Sequence, residues 1–287
     1  MKKKIKSALL NLAPGVIKNR LFKEQKKFSW HTIDTVQNEP EVLILEEIFA
    51  EHSNIVFFDI GCNKGEYIYA AEKFLIPAHI YAFEPNPKLF DQLKKIFPEI
   101  RLNKIAISDS NEKKQFKIPF INGVEDDSLG TLGINSSIDN ETSSEQLEVV
   151  CKTLDSFVAE NKIERIDIIK IDVEGFEKAV ISGGINTISN HCPLMLIEIE
   201  KRHHPGQTVL SIIEGIKSVS AGIAYKVYYF NNAHKSIEAV TTEPHQQKED
   251  WGTRGYINNF LFIRYSEASI AHIDRINAKL KTIFAKN

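Results

Sequence analysis

The sequence offers little to support covalent cross-linking, a membrane span or a sulfur-ligated metal. Among 287 residues there are three cysteines, Cys62, Cys151 and Cys192, far apart and without a C-x-x-C pair. That number and spacing argue against a disulfide framework or a cysteine-based zinc site and fit a reducing cytoplasm. No apolar run approaches the ~18 residues of a membrane-spanning helix, because charge interrupts each one within a few positions. Net charge is also small, 36 Lys and Arg against 38 Asp and Glu. What is present is globular in kind: 43% apolar and 9% aromatic residues, enough for a sizeable core and too much for a disordered or collagen-like chain.

The small total hides an asymmetry. The first 27 residues hold nine Lys and Arg against one acid, Glu24, so they carry +8 while the remainder carries −10. An acidic body is a poor match for a nucleic-acid backbone, and no nucleic-acid partner is expected. Ile5, Leu9, Leu12, Val16 and Ile17 recur at helical spacing between lysines, the pattern of a short amphipathic helix suited to a membrane surface. Asn11 and Pro14-Gly15 break the apolar segment and no small-residue cleavage site follows, so an export signal is not expected. The competing reading is an arm packed on its own domain. The arm packed on its own domain or frayed in solvent is the preferred reading, with peripheral membrane contact through residues 1–27 as the alternative; residues 1–50 are read as a basic, helical N-terminal extension and 51–287 as one folded, cytoplasmic domain.

Beyond the extension, strand-like and helix-like segments alternate, the sign of a parallel α/β sheet. Strands are expected near Ile55–Ile60, Ile80–Phe83, Arg101–Ile107, Ile166–Ile171 and Leu194–Ile199. Helices are expected near Glu66–Phe74, Pro87–Phe97, Glu177–Ile188 and Thr208–Val219. Two late strands, Tyr225–Phe230 and Phe260–Tyr265, are joined by a long polar connection, and a helix near Ser269–Phe284 closes the chain. Residues 108–153 break this rhythm with a hairpin, Lys114–Ile118 and Leu147–Thr153, around a Gly-, Ser-, Asn- and Asp-rich stretch suited to a binding loop.

Three segments carry chemistry. In the first, a buried strand ending Phe58-Asp59-Ile60 runs into Gly61-Cys62-Asn63-Lys64-Gly65 and then a helix, which lets the backbone pass close to a ligand at a helix N-terminus. The spacing is G-x-x-x-G, not the G-x-G-x-x-G of dinucleotide sites. In the second, strand two ends at Phe83-Glu84-Pro85-Asn86, with Glu84 23 positions after Gly61, near the ~20-residue spacing at which an acid reaches ribose hydroxyls. Two negative charges, Asp59 and Glu84, would repel a pyrophosphate and attract a sulfonium, which favours S-adenosylmethionine over a nicotinamide dinucleotide. The third segment, Lys170-Ile-Asp172-Val-Glu174-Gly175, sets three charges on one side of an otherwise apolar strand, where they need partners or a polar cleft. Lys170 reads as an ion-pair partner, and Asp172, nearer the strand's C-terminal end, as a site residue.

These runs, with Thr153-Leu-Asp155 and Pro193-Leu-Met-Leu-Ile-Glu198, resemble the FkbM-type methyltransferases in order and spacing across about residues 54–265. The resemblance implies a seven-stranded, mostly parallel class I (Rossmann-like) sheet with helices on both faces, its last two strands antiparallel at one edge. It also implies S-adenosylmethionine-dependent O-methylation of a hydroxyl on a sugar, glycan or secondary metabolite. By the same resemblance Asp59, Gly61, Asn63 and Gly65 shape the cofactor's methionine end, Glu84 holds the ribose, and Ser108 or Asp109 lies near the adenine. Asp172 would orient the acceptor, with His203 as candidate base. Glu198 joins them at the strand ends together with Glu174, Glu200 and His204. That group reads as a metal-free polar pocket in preference to a hard-cation site. Positioning is the main catalytic need of an in-line methyl transfer. An oxidoreductase would want the dinucleotide glycines and a Tyr-x-x-x-Lys pair, neither of which is convincing here. A non-catalytic scaffold predicts eroded motifs, yet Asp59, Gly61, Gly65, Glu84 and Asp172 all persist.

Overall fold

The computed structural model describes residues 14–36, 39–126, 129–132, 140–220, 222–246, 253 and 255–285. In chain order its strands are β1 (Phe57–Ile60), β2 (Ile80–Phe83), β3 (Arg101–Asn103), β4 (Ala106–Ser108), β5 (Lys113–Ile121), β6 (Val124–Glu125), β7 (Glu141–Thr153), β8 (Ile168–Ile171), β9 (Leu194–Glu198), β10 (Tyr225–Asn231), β11 (Ser236–Ala239) and β12 (Asn259–Arg264). Every residue of β1, β2 and β8 is buried, as expected of parallel strands covered on both faces. The main sheet runs β11-β10-β12-β9-β8-β1-β2-β3. Strands β3 to β9 pair in parallel, and β12, β10 and β11 add antiparallel. The chain leaves β1 towards β2 and returns on its other side as β8, so the crevice between the C-terminal ends of β1 and β8 is where an open α/β sheet binds its ligand.

Side-chain alternation assigns each face a separate core. Phe58, Ile60, Ile169 and Ile171 join one cluster with the helices Leu154–Glu160, Glu177–Ser182 and Val209–Val219. Phe57, Ala82, Ile168 and Leu196 join the other, beneath the helix Pro40–Glu51 and the segment before it. Asp59 and Lys170, opposite each other in register, fall on this second face. Ile17, Phe22, Phe28, Trp30 and Ile33 are buried in the same cluster, with Phe22 stacked on Tyr69 at 4.4 Å and Trp30 against Phe230 at 5.6 Å. Residues 14–51 thus share the sheet's core. Ile5, Leu9 and Leu12 of the expected amphipathic stripe lie outside the described residues, and Val16 is exposed. No helix among the described residues is long and apolar enough to cross a membrane.

The structure departs from the expected elements in three places. The strand expected over Arg101–Ile107 is two, β3 in the main sheet and β4 in a second sheet ordered β4-β7-β5-β6. The helix expected over Glu177–Ile188 breaks into Glu177–Ser182 and Ile185–His191. A Cβ on Gly183, at the break, would lie 2.0 Å from the Ser108 carbonyl oxygen, so the glycine admits the end of β4. The main sheet has eight strands, not seven. After β10, Asn231 Oδ1 accepts from the Ala233 and His234 backbone N–H groups, an Asx turn that folds the polar connection back as β11. The expected hairpin is present and longer, β5 against β7 with Phe116 opposite Leu147.

Candidate active site

The turn after β1 is built for close approach. Gly61 and Gly65 have φ of +81° and +84°, the left-handed region that glycine enters without a Cβ clash. A Cβ on Gly61 would sit 1.8 Å from the Asp172 carbonyl oxygen, so the ends of β1 and β8 touch only because residue 61 has no side chain. Glu84 fastens this turn to the next one: Oε2 accepts from the Asn63 N–H at 2.9 Å and Oε1 from the Asn86 N–H at 2.8 Å. Asn86 in turn caps the helix Pro87–Ile96, its Oδ1 accepting from the Lys88 N–H. The helix cap therefore falls to Asn86, and Glu84 faces a narrow slot walled by Ile105, Ala106, Ile107, Phe116 and Leu132 and floored by Gly61 and Asn63.

Ser108 and Asp109, expected near the adenine, do not line that slot. Ser108 is completely buried, its carbonyl against Gly183, and Asp109 is tied to Lys114 at 2.8 Å and to Ser108. The Lys114 ammonium lowers the Asp109 carboxyl despite partial burial. The residues that face the slot precede them, Ile105 to Ile107, joined by Phe116 from the insertion. An apolar triplet following a polar strand end was the available signal; the contributions of Phe116 and Leu132 had no local one.

Beyond Gly61, Asn63, Asp172 and Glu174, which both spaces share, the slot adjoins a chamber of about 570 Å³. Lys170, 1% exposed, lies at its base. Its Nζ is 3.5 Å from Asp172 Oδ2, 3.8 Å from Glu198 Oε2 and 3.4 Å from Asn259 Oδ1, over the Tyr67 ring. Burial alone would lower this ammonium's pKa, but Asp172 and Glu198 outweigh it and raise it. One cation does not neutralise the carboxylates around it. Burial, with Asp172 adding and Lys170 opposing, pushes Asp59 up to about 7; burial and Glu39 push Glu41 up to about 8; burial and Asp172 raise Glu198 well above the usual range. Glu39 and Glu41 come from the start of the helix Pro40–Glu51, and Glu39 accepts from the Tyr67 hydroxyl at 2.5 Å. The sequence reading did not anticipate them, because nothing local links that helix to the β1 turn.

His203 does not have the setting of a general base. Its Nε2 is 2.6 Å from Glu174 Oε2 and 3.5 Å from Glu200 Oε2, at angles that leave it without a well-formed hydrogen bond, and it is not among the chamber's lining residues. Burial would lower its pKa, but the two carboxylates raise it to about 9. An imidazolium at neutral pH has no lone pair to take a proton. Glu174, Glu200 and His203 bring three metal-ligating atoms within 4.8 Å of one another, yet Arg202 already pairs with Glu200 and lies 3.7 Å from Glu174, supplying the positive charge internally. His204 instead pairs with Glu177 at 3.1 Å.

The Methyltransferase FkbM domain model matches residues 59–251. The chain belongs to this family. The FkbM match begins at Asp59 and leaves out Phe22, Gln25, Glu39 and Glu41, which line the chamber. Two curated relatives match part of the chain. 2-O-methyltransferase NoeI of Sinorhizobium fredii is 32% identical over 155 residues, 48% of this chain and 61% of the relative. Hexuronic acid methyltransferase AglP of Haloferax volcanii is 28% identical over 154 residues, 52% of this chain and 56% of the relative. The chain thus spans less than two thirds of either relative's length. A crystal structure of a methyltransferase FkbM from Methylobacillus flagellatus, 13% identical, aligns with a TM-score of 0.45 over 86% of this chain and 60% of that one.

The residues of this FkbM domain fit S-adenosylmethionine. Asp59 Oδ2 and Asn63 Oδ1 are buried acceptors without hydrogen-bond partners at the junction of slot and chamber, the chemistry wanted beside an ammonium and a sulfonium. The apolar slot beside Glu84 suits a flat base attached to a ribose.

Proposed function

We propose that the protein is an S-adenosylmethionine-dependent O-methyltransferase that acts on a hydroxyl of a sugar or glycan; the name of NoeI gives O-methylation for that relative and the name of AglP a sugar acid for the other. The reading rests on one observation: a narrow apolar slot beside Glu84 meets a wide polar chamber at Gly61, Asn63 and Asp172. The slot holds the adenosyl group, with Glu84 on the ribose and Ile105, Ile107 and Phe116 on the base. Asp59, Gly61, Asn63 and Gly65 shape the end that carries the methionine. Bound there, the cofactor supplies an electrophilic methyl group. Asp172, at the seam, orients the acceptor hydroxyl and takes its proton as the oxygen attacks. Glu198 accepts from Asn258 at 2.6 Å and lies 3.8 Å from the Lys170 ammonium, which supports the seam beside Asp172. His203, as an imidazolium between Glu174 and Glu200, positions the Glu174-Gly175 turn.

In this reading residues 1–50 are an extension that closes the acceptor side of a domain formed by 51–287, and the basic N-terminus touches an anionic membrane. Because Ile17 and Phe22 are core residues, vesicle co-sedimentation should compare the full chain with one lacking residues 1–13; equal pelleting would dismiss the membrane contact. For the enzyme itself, calorimetric titration with S-adenosylhomocysteine, alongside NAD and a Glu84→Ala variant, is the deciding experiment. Binding lost in the variant supports the methyltransferase. No binding leaves a non-catalytic scaffold, and preference for NAD an oxidoreductase.

A further inference from the structure

The chamber is unusually rich in groups that accept hydrogen bonds. Among the described residues its lining carries nine carboxylates and three cations, Lys64, Lys170 and Arg202. Two of those cations are already engaged, Lys170 between Asp172 and Glu198 and Arg202 with Glu200. The lining side chains with buried, unpartnered polar atoms tell the same story independently. Gln25 Oε1, Asp59 Oδ2 and Asn63 Oδ1 are all acceptors, and Gln25 and Asp59 are 6% and 2% exposed. Native proteins rarely leave such atoms unpaired without a ligand or water to answer them.

We propose that the acceptor is a sugar without negative charge, neutral or amine-bearing and rich in donor hydroxyls, and that the acidic chamber excludes hexuronates. This rests on the methyltransferase reading and sharpens it. A neutral polyol brings donors to acceptors that lack them. An ammonium adds the counter-charge that the wall lacks. A carboxylate on the acceptor meets like charge from two directions, the β8–β9 ends and the N-terminal wall, and among the described lining residues each cation but Lys64 is engaged by a carboxylate. Like-charge juxtaposition across an interface is a specificity device. Of the nine lining carboxylates, Glu24, Glu39 and Glu41 lie outside the matched FkbM span and the other six lie within it.

The test uses the full-length protein saturated with S-adenosylhomocysteine, whose binding is measured first and stands as the separate check on the methyltransferase reading. Saturation-transfer NMR at neutral pH and low salt then ranks three methyl glycosides, of a neutral hexose, an aminohexose and a hexuronic acid. Neutral and amino glycosides should bind at least about tenfold more tightly than the hexuronide. In Glu39→Gln, which keeps an acceptor for the Tyr67 hydroxyl, that gap should narrow about threefold or more while S-adenosylhomocysteine still binds. Equal or tighter binding of the hexuronide, binding of none of the three, or an unchanged gap in the variant would each overturn the proposal, and none of these would touch the methyltransferase reading if S-adenosylhomocysteine binds.

Discussion

The slot and the chamber meet at the same four residues yet are made in opposite ways. The slot is local on its Glu84 side, where the turns after β1 and β2 and the residues Ile105 to Ile107 follow one another in sequence and Glu84 bolts two of them together through backbone N–H groups; Phe116, Leu132 and the end of β8 close it. The chamber is assembled from ends of the chain, from Phe22 and Glu39 to Tyr256 and Asn259, and its charge balance is settled only when they meet. A slot of this kind is a general device for holding a nucleoside, whereas the chamber depends on long-range packing. Cofactor and acceptor binding should therefore be separable by mutation.

The strongest separation is expected from Trp30→Ala. Trp30 is 6% exposed, packs on Phe230 and donates to Glu47 Oε1 at 3.1 Å, so its truncation should destabilise the fold by about 3–5 kcal/mol. Because Phe230 lines the chamber and not the slot, S-adenosylhomocysteine affinity measured well below the melting temperature should change little. An equal loss in both would mean that the two spaces are one cooperative unit. Asp172→Ala comes next. Removal of a positioned base typically lowers turnover about 100-fold or more, and cofactor binding should survive because the slot is otherwise intact. Unchanged methyl transfer would remove Asp172 from the mechanism.

Part of this division was legible in the sequence, for physical reasons. Gly61, Gly65 and Glu84 could be found because strand, turn and helix are short-range patterns, and the sheet's central strands announce themselves as unbroken apolar runs. The adenine side was placed on Ser108 and Asp109, just past Ile105 to Ile107, because nothing in the spacing said that the third strand would split and send its second half to another sheet. Glu39 and Glu41 were invisible because only the packing of the helix Pro40–Glu51 over the Asp59 and Lys170 face brings them in. Glu200 lies three residues from His203 in the sequence, but only the fold brings Glu174 to the same imidazole.

On the slot side, Glu84→Ala should weaken S-adenosylhomocysteine binding about tenfold or more, the loss of a charged hydrogen-bonding partner contributing about 1.5–3 kcal/mol. The same change strips the Asn63 and Asn86 N–H groups of their acceptor, so a melting experiment is needed beside the titration. Glu84→Gln, which keeps one acceptor oxygen, should recover stability more than affinity. If Glu84→Ala lowers the melting temperature and leaves affinity intact, the residue is a bracket and not a ribose ligand.

The smallest and most discriminating effect is electrostatic and belongs to the chamber alone. A carboxyl raised on folding binds its proton more tightly in the native state than in the unfolded one, so its contribution to stability is present below the unfolded pKa and is lost as pH rises through the folded value. Asp59, raised from 3.8 to about 7, and Glu41, raised from 4.5 to about 8, should both make the ligand-free protein lose stability between about pH 5 and pH 8. His203, raised from 6.5 to about 9, acts in the same direction over the upper part of that window, because its imidazolium is the form the two carboxylates hold. Glu41→Gln removes one of these protons from the balance without removing the side chain's volume. Its melting temperature should therefore fall less steeply than the wild type's across that range, while the pH dependence of slot binding stays as it was. An unaltered slope would mean that Glu41 is ionised in the folded protein and that the chamber is even more acidic than its proton uptake implies, which would strengthen the contrast with the slot rather than weaken it.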